Sequence, residues 1–190
     1  MQGNGKVVIV SGPSGVGKST ICKEVVKRLN NAHLSISATT RPRSPSEVDG
    51  EDYWFLSEEE FQQRIDDGLL LEYAEVFGHL YGTPKDKVDE ALRSGKTVIL
   101  EIDVQGAKQA KTVFRDAVMI FILPPSSKTL EERMNHRGRE GADEAGERLN
   151  GADTEIAAAW QYYKHMVIND DLQQAVNECV QIIESNESES

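Results

Sequence analysis

Apolar positions along this chain fall into two alternating patterns, short continuous runs and longer stretches spaced three and four apart. Val7-Val8-Ile9-Val10 is a run of the first kind and reads as a buried strand. Thr20 to Leu29 then carries helical spacing, and Leu34-Ser35-Ile36-Ser37 alternates like a short strand before Thr39 to Pro45 breaks all regular structure. Tyr53-Trp54-Phe55-Leu56 is strand-like, and Ser57 and Glu60 form a capping box ahead of Phe61 and Ile65, in a helix that stops at Asp67-Gly68. Leu69 to Ala74 and Val76 to Thr83 predict two paired strands joined by a turn. From Lys85 a regular alternation takes over. It predicts a helix to Arg93 closed by Ser94-Gly95, a strand Thr97 to Asp103, a helix Gln105 to Phe114, a strand Val118 to Leu123 and a helix Ser127 to Asn135. His136 to Asp143 is glycine-rich and basic, followed by a helical pattern through Arg148, Leu149, Ile156, Trp160 and Tyr163. A last strand at Met166 to Asn169, a last helix from Asp171 to about Glu184 and a disordered end from Ser185 complete the pattern, with no internal repeat.

Strands separated by helices predict a parallel sheet with right-handed crossovers, layered as α/β/α. The segment from about 36 to 84 departs from that rhythm and reads as an α+β insertion. Composition sets limits on this picture. The chain has 190 residues, 38% apolar and 28% charged, so one α/β domain with insertions, or a core with one small satellite, is expected. No apolar run reaches the roughly 20 residues needed to span a bilayer, and Met1 to Gly5 lacks the features of a signal peptide, which predicts cytoplasmic residence and no membrane partner. Cys22 and Cys179 have no metal-ligand spacing and are expected to be reduced thiols.

A net charge of −11 argues against nucleic acid as a partner. The cations are nonetheless gathered, at Arg41 and Arg43 and again at Arg133, Arg137, Arg139 and Arg148. An acidic protein that handles phosphates needs cations at the site itself, where its own charge would otherwise repel the substrate. That makes both groups candidates for phosphate contact, although Arg41 could equally be a solvated loop cation and Arg148 an ordinary helix-surface residue.

The most specific chemistry lies in Gly12-Pro13-Ser14-Gly15-Val16-Gly17-Lys18-Ser19, between the first strand and first helix. It fits G-x-x-x-x-G-K-[ST] in full and in the required context. Glycines let successive N–H groups turn inward, and the helix adds its positive N-terminal end at the same place. The loop, Lys18, Ser19 and the following Thr20 therefore predict a nucleotide-binding site, with Lys18 on the phosphates and the Ser19 hydroxyl on Mg²⁺. Asp103 ends a predicted core strand, where an acid commonly faces the nucleotide crevice.

Taken in order, further segments extend the pattern: Ser37-Ala38-Thr39-Thr40-Arg41, Glu47-Val48-Asp49-Gly50-Glu51-Asp52-Tyr53, Glu72-Tyr73-Ala74, Tyr81-Gly82-Thr83, Leu100 to Gly106, Arg137-Gly138, Arg148-Leu149 and Ile168-Asn169-Asp170. With the phosphate loop they closely resemble the guanylate kinases over nearly the whole chain. The resemblance implies a phosphate-loop NTPase fold: a three-layer α/β/α ATP-binding core with a parallel sheet (1–35, 84–136, 150–186), an inserted α+β GMP-binding domain (36–83), a mobile lid (137–149) and a disordered acidic tail (187–190). It also implies that Arg41, Tyr53 and Tyr81 hold the GMP phosphate and that Ser37, Glu72, Thr83 and Asp103 recognise guanine. Lid residues Arg137 and Arg148 would act on the transferring phosphoryl group together with Lys18 and Arg41. A carboxylate such as Glu72 can accept from both N1–H and the N2 amino group of guanine, a donor pair that adenine lacks. On their own, Tyr53 and Tyr81 could be packing aromatics and Glu72 a strand-surface residue.

One stretch departs from the family pattern. Thr-Thr-Arg-x-Pro-Arg-x-Gly-Glu is common there, but here Arg43 follows Arg41 by two positions, Ser44 stands in the expected place, and Ser46 replaces the glycine before Glu47. Either the loop shifts so that Arg43 reaches the same phosphate, or that contact is lost. The implied reaction is transfer of the γ-phosphoryl group of ATP to GMP, with Mg²⁺, in a monomer or small homo-oligomer. A non-catalytic binding module of the same fold and a kinase of another nucleoside monophosphate are the alternatives.

Overall fold

The computed structural model describes residues 5–136, 155–157 and 159–187. Arg137 and Arg148, the lid expected at 137–149, and residues 188–190 of the tail expected at 187–190 lie outside them. Two sheets organise the chain. Five strands, β1 (Lys6–Ser11), β2 (Ala32–Leu34), β7 (Thr97–Glu101), β8 (Val118–Leu123) and β9 (His165–Ile168), stand in the order β2-β7-β1-β8-β9. The pairs β2–β7, β1–β8 and β8–β9 are parallel. A second, four-stranded sheet is built from β3 (Ala38–Thr39), β4 (Trp54–Phe55), β5 (Leu70–Val76) and β6 (His79–Pro84), ordered β4-β3-β6-β5. Helices α1 (Lys18–Arg28), α2 (Glu58–Asp66), α3 (Lys85–Arg93), α4 (Val104–Val113), α5 (Ser127–His136) and α6 (Leu172–Glu187) alternate with these strands.

By contacts the chain divides into two compact units, Asn31–Ala117 with the start of β1, and Val8–Asn30 with the chain from Val118 onward. In the second unit, β1 and β8 bury Val8, Ile9, Ile120, Phe121 and Ile122, as continuous apolar runs in a parallel sheet must. Helix α1 buries Ile21, Cys22 and Val25, and packs on α6, which buries Val176, Cys179 and Ile183. Both cysteines are buried and outside any disulfide, and burial, followed by Glu178, pushes the Cys179 thiol up to about 12, which leaves it inert.

The first unit holds the small sheet with α2, α3 and α4. The predicted capping box is present: Ser57 Oγ accepts from the Glu60 N–H at 3.1 Å while Glu60 accepts from the Ser57 N–H at 2.8 Å. The expected pair of strands is β5 and β6, but Phe77-Gly78, expected within the second strand, forms the turn that joins them, with positive φ at both residues (50° and 74°), and Val76 belongs to β5. Three further expectations are corrected. Leu34–Ser37 is not one strand: β2 ends at Leu34 in the large sheet, β3 begins at Ala38 in the small one, and the chain crosses between. The strand from Thr97 stops at Glu101, since Asp103 leaves it to cap α4. Disorder from Ser185 is also overturned over 185–187, which continue α6, with Ser185 Oγ and Asn186 Nδ2 both donating to the Ile182 carbonyl. Among the described residues no helix is long and apolar enough to cross a membrane.

Candidate active site

In the unit containing α1, the phosphate loop runs from the end of β1 to the helix start. Gly17 caps α1 with φ of +100°, a backbone state that an L side chain rarely adopts. A Cβ there would also stand 2.6 Å from Asn169 Nδ2, so position 17 is restricted twice. The Lys18 ammonium donates to the carbonyls of Gly12 and of Pro13, the latter at 3.0 Å, and is thereby held within the curl of its own loop. Ser19 and Thr20 follow in the first turn of α1, where backbone N–H groups have no intrahelical acceptor. An anion at this position meets those N–H groups and the positive helix end together.

Two side chains brace the loop from behind. Asn169, buried just after β9, donates from Nδ2 to the Val16 carbonyl at 2.8 Å, and Arg133 on α5 donates to the same carbonyl at 3.4 Å and to the Asn169 carbonyl at 3.0 Å. Sequence reasoning counted Arg133 among the arginines that are candidates for phosphate contact, whereas here it donates to backbone carbonyls, and it gave Asn169, which lay in a noted segment, no role. Their signal was a contact between positions 117 or more apart, which spacing does not display.

The first unit holds the residues expected to read a nucleoside monophosphate. Glu72, on β5, is buried, 4% exposed, and its Oε1 accepts from the Thr83 hydroxyl of β6 at 2.6 Å. Burial pushes its carboxyl up to about 7; the Thr83 bond opposes that shift and the Asp103 charge adds to it. Asp103 is the N-cap of α4, its Oδ1 accepting from the Gly106 N–H at 2.8 Å. A hydroxyl carries one hydrogen, and that of Thr83 goes to Glu72, so donation to a base oxygen requires this bond to be released. Ser37, just before β3, is half-buried and its carbonyl accepts from the Trp54 N–H at 2.9 Å.

A cationic group lies in the same unit. Arg41 Nη2 is 2.7 Å from Glu47 Oε1, and the guanidinium lies 5.4 Å from the Tyr53 ring centroid and 5.8 Å from that of Phe55. Burial disfavours both charges of the Arg41–Glu47 pair, yet the bond between them prevails, raising the arginine and lowering the carboxyl. The Tyr81 side chain adds a hydrogen bond to Arg41, and the Tyr53 and Tyr81 rings meet edge to face at 6.0 Å. Burial and then Glu101 push the Tyr53 hydroxyl up to about 12, so it remains a neutral donor. Two tyrosine hydroxyls and a guanidinium make a donor set suited to a phosphate. Arg43 is exposed, on the loop that the sequence marks as unusual.

The guanylate kinase family model matches residues 4–186. A guanylate kinase of Carboxydothermus hydrogenoformans is 47% identical over 174 residues, covering 92% of this chain and 85% of that protein. A guanylate kinase of Synechocystis is 46% identical over 183 residues, covering 96% of this chain and 95% of its own length. Among solved structures, the crystal structure of guanylate kinase from Anaplasma phagocytophilum superposes with a TM-score of 0.80 at 31% identity, over 97% of this chain and 87% of that one.

Proposed function

The chain belongs to the guanylate kinase family and is a nucleoside monophosphate kinase that transfers a phosphoryl group from ATP to GMP; from that premise we propose how its residues divide the work. The observation that carries the assignment of base recognition is the buried Glu72 carboxylate, bonded to Thr83 and close enough to Asp103 to feel its charge. Once ionised, it accepts from N1–H and N2 of guanine, with Ser37, Thr83 and Asp103 completing the base site. Arg41, Tyr53 and Tyr81 take the GMP phosphate, Glu47 yielding its bond to Arg41 as the phosphate arrives, and exposed Arg43 is free to swing toward the same group. In this division 36–83 is the GMP-binding insertion, 137–149 the lid bearing Arg137 and Arg148, and the rest the ATP-binding core.

The loop 12–17 and the first turn of α1 bind the ATP phosphates through backbone N–H groups, Lys18 through its ammonium, which exchanges loop carbonyls for phosphate oxygens. The protein donors for a metal are sparse here: Ser19 offers one hydroxyl, and among the described residues no group of three or more His, Cys, Asp or Glu could hold an ion. Such a set fits Mg²⁺, a hard cation that keeps waters and phosphate oxygens as most of its ligands. Bound with ATP, it would be held on the protein side by the Ser19 hydroxyl and would supply neutralisation of the phosphate charge. The acceptor oxygen of GMP is already ionised at neutral pH, so the residues need not remove a proton. Their contribution is alignment and stabilisation of developing charge, by Lys18, Arg41, Arg137 and Arg148. Two free nucleotide substrates suit an enzyme of the cytoplasm, working as a monomer or small homo-oligomer.

The test is a substrate panel of GMP, AMP, UMP and dTMP with ATP, run on the parent and on Lys18→Ala. GMP is expected to be the preferred acceptor and the folded Lys18→Ala variant to lose transfer. Preference for another acceptor overturns the base assignment, and near-normal turnover by Lys18→Ala overturns the role of the lysine. Intact Lys18 and Ser19 disfavour a non-catalytic binding module.

A further inference from the structure

The Glu72 carboxylate stands on an exposed kind of support. Strand β5 is the last strand of its sheet, and its register with β6 slips between Leu70 and Tyr73, so Glu72 lies within the irregularity. A bulge re-aims side chains, and here it leaves Glu72 buried while Tyr73 points outward. An edge strand has backbone groups with no partner strand beyond it, which ordinarily leaves a short irregular strand free to shift.

In this protein a side chain takes the place of the missing strand. Gln109 on α4 donates from Nε2 to the Tyr73 carbonyl at 2.7 Å, and its Oε1 accepts from the Tyr73 N–H at 3.2 Å. A primary carboxamide thus reproduces one peptide unit of a neighbouring strand, at the residue directly after Glu72. One helical turn earlier, on the same face of α4, lies Gly106. A Cβ at 106 would stand 2.1 Å from Glu72 Oε2 and 2.9 Å from its Cδ, closer than any side chain can be accommodated without moving the carboxylate. Helix α4 therefore does two things to one carboxylate: Gln109 fixes the backbone that carries it, and the glycine leaves it room. Asp103, whose charge bears on Glu72, caps the same helix three residues before Gly106.

We infer that Gln109 is a positioning residue for base recognition, clasping β5 to α4 so that the Glu72 carboxylate, admitted by Gly106, is held where it can accept two hydrogen bonds from guanine. The inference rests on the reading of Glu72 given above. Gln109 touches no substrate in this account and acts only through the strand. Its effect is therefore on discrimination more than on turnover. The sharpest probe is inosine monophosphate, which differs from GMP only in lacking the N2 amino group. Two acceptors must be well placed to favour GMP over it, and misplacement by a fraction of an ångström weakens the second bond first.

The experiment compares kcat/KM for GMP and for inosine monophosphate, at saturating ATP, in the full chain, Gln109→Met, Gln109→Glu and Glu72→Gln. Methionine keeps the length and helix preference of glutamine while removing both bonds; glutamate keeps the bond from the Tyr73 N–H and loses the donated one. The GMP preference is expected to fall on the order of tenfold in Gln109→Met, with the KM for ATP unchanged, as for a lost pair of hydrogen bonds. It is expected to fall by less in Gln109→Glu. A purely structural clasp would lower the melting temperature and leave the preference within twofold of the parent; that result overturns the proposal. Should Gln109→Met not fold, the same twofold criterion applied to Gln109→Glu decides. If Glu72→Gln collapses the preference and the Gln109 variants do not, only the clasp fails. If Glu72→Gln itself leaves the preference intact, the reading of Glu72 fails, and the clasp with it.

Discussion

At the scale of single residues, Glu72 is a buried carboxylate whose protonation is tied to the fold. Its carboxyl titrates near 7 because burial disfavours the charge, with the Thr83 bond opposing and Asp103 adding. A folded value above the ordinary 4.5 means that the folded chain holds the proton more tightly than the unfolded chain does. Stability is then greatest below about pH 4.5, falls as pH rises from about 4.5 to about 7, and is flat above. Between pH 5 and 8 the loss is on the order of 2 to 3 kcal/mol. Glu72→Gln is neutral throughout and escapes it, so its stability relative to the parent is expected to improve by that amount over the interval. Urea denaturation of both proteins at pH 5, 6, 7 and 8 measures the difference, and a difference independent of pH would show the carboxyl to be ordinary. The residue itself was legible in Glu72-Tyr73-Ala74. Its grouping with Thr83 and Asp103 came only through the resemblance, and its burial and the close approach of Gly106 were not legible, because they arise through the hairpin and the packing of α4 on β5.

At the scale of elements, local signals were read well and long-range ones poorly. Ser57 and Glu60 announce α2 because a capping box is complete within four residues. The bounds of α3 and β8 match those expected for the same reason, with Ser94-Gly95 and an unbroken apolar run as their markers. Leu34 to Ser37 misled because alternation reports a strand without saying to which sheet it belongs. Ser185 to Glu187 misled because low apolar content ignores a helix that continues by its own backbone and by side-chain bonds to Ile182. The β5–β6 hairpin was expected, but not that Phe77 would take a positive φ in a two-residue turn. Two successive positive φ values suit Asn-Gly far better than Phe-Gly, and the ring at 77 is 48% exposed. Replacing Phe77→Asn is therefore expected to stabilise by about 1 kcal/mol, a rise of about 2 to 4 °C in Tm for a chain of this size. A fall of similar size, read by thermal denaturation, would mean that the phenylalanine packs more than the turn resists.

At the scale of the whole molecule, the residues to which the proposed chemistry is assigned fall in two units that the sequence interleaves. The phosphate loop, braced by Arg133 and Asn169, belongs to one. Glu72, Thr83 and Asp103, with Arg41 held against Glu47, Tyr53 and Tyr81, belong to the other. The order of elements and the kinase family were legible because the phosphate loop is contiguous and the other segments recur in sequence. The ion pair on Arg41 was not, since a chain of net charge −11 offers many acids and spacing does not choose Glu47 among them. The division makes the central claim separable: base choice is set in the unit that holds Glu72, and ATP affinity in the unit that holds Lys18. Steady-state kinetics of Glu72→Gln with GMP and AMP, alongside ATP titration, tests it directly. The substitution keeps the shape and one acceptor but turns an NH₂ toward the guanine donors. A large loss in kcat/KM for GMP, on the order of a hundredfold or more, is expected, with little change for AMP and unaltered ATP affinity. Intact GMP turnover in Glu72→Gln would contradict the account.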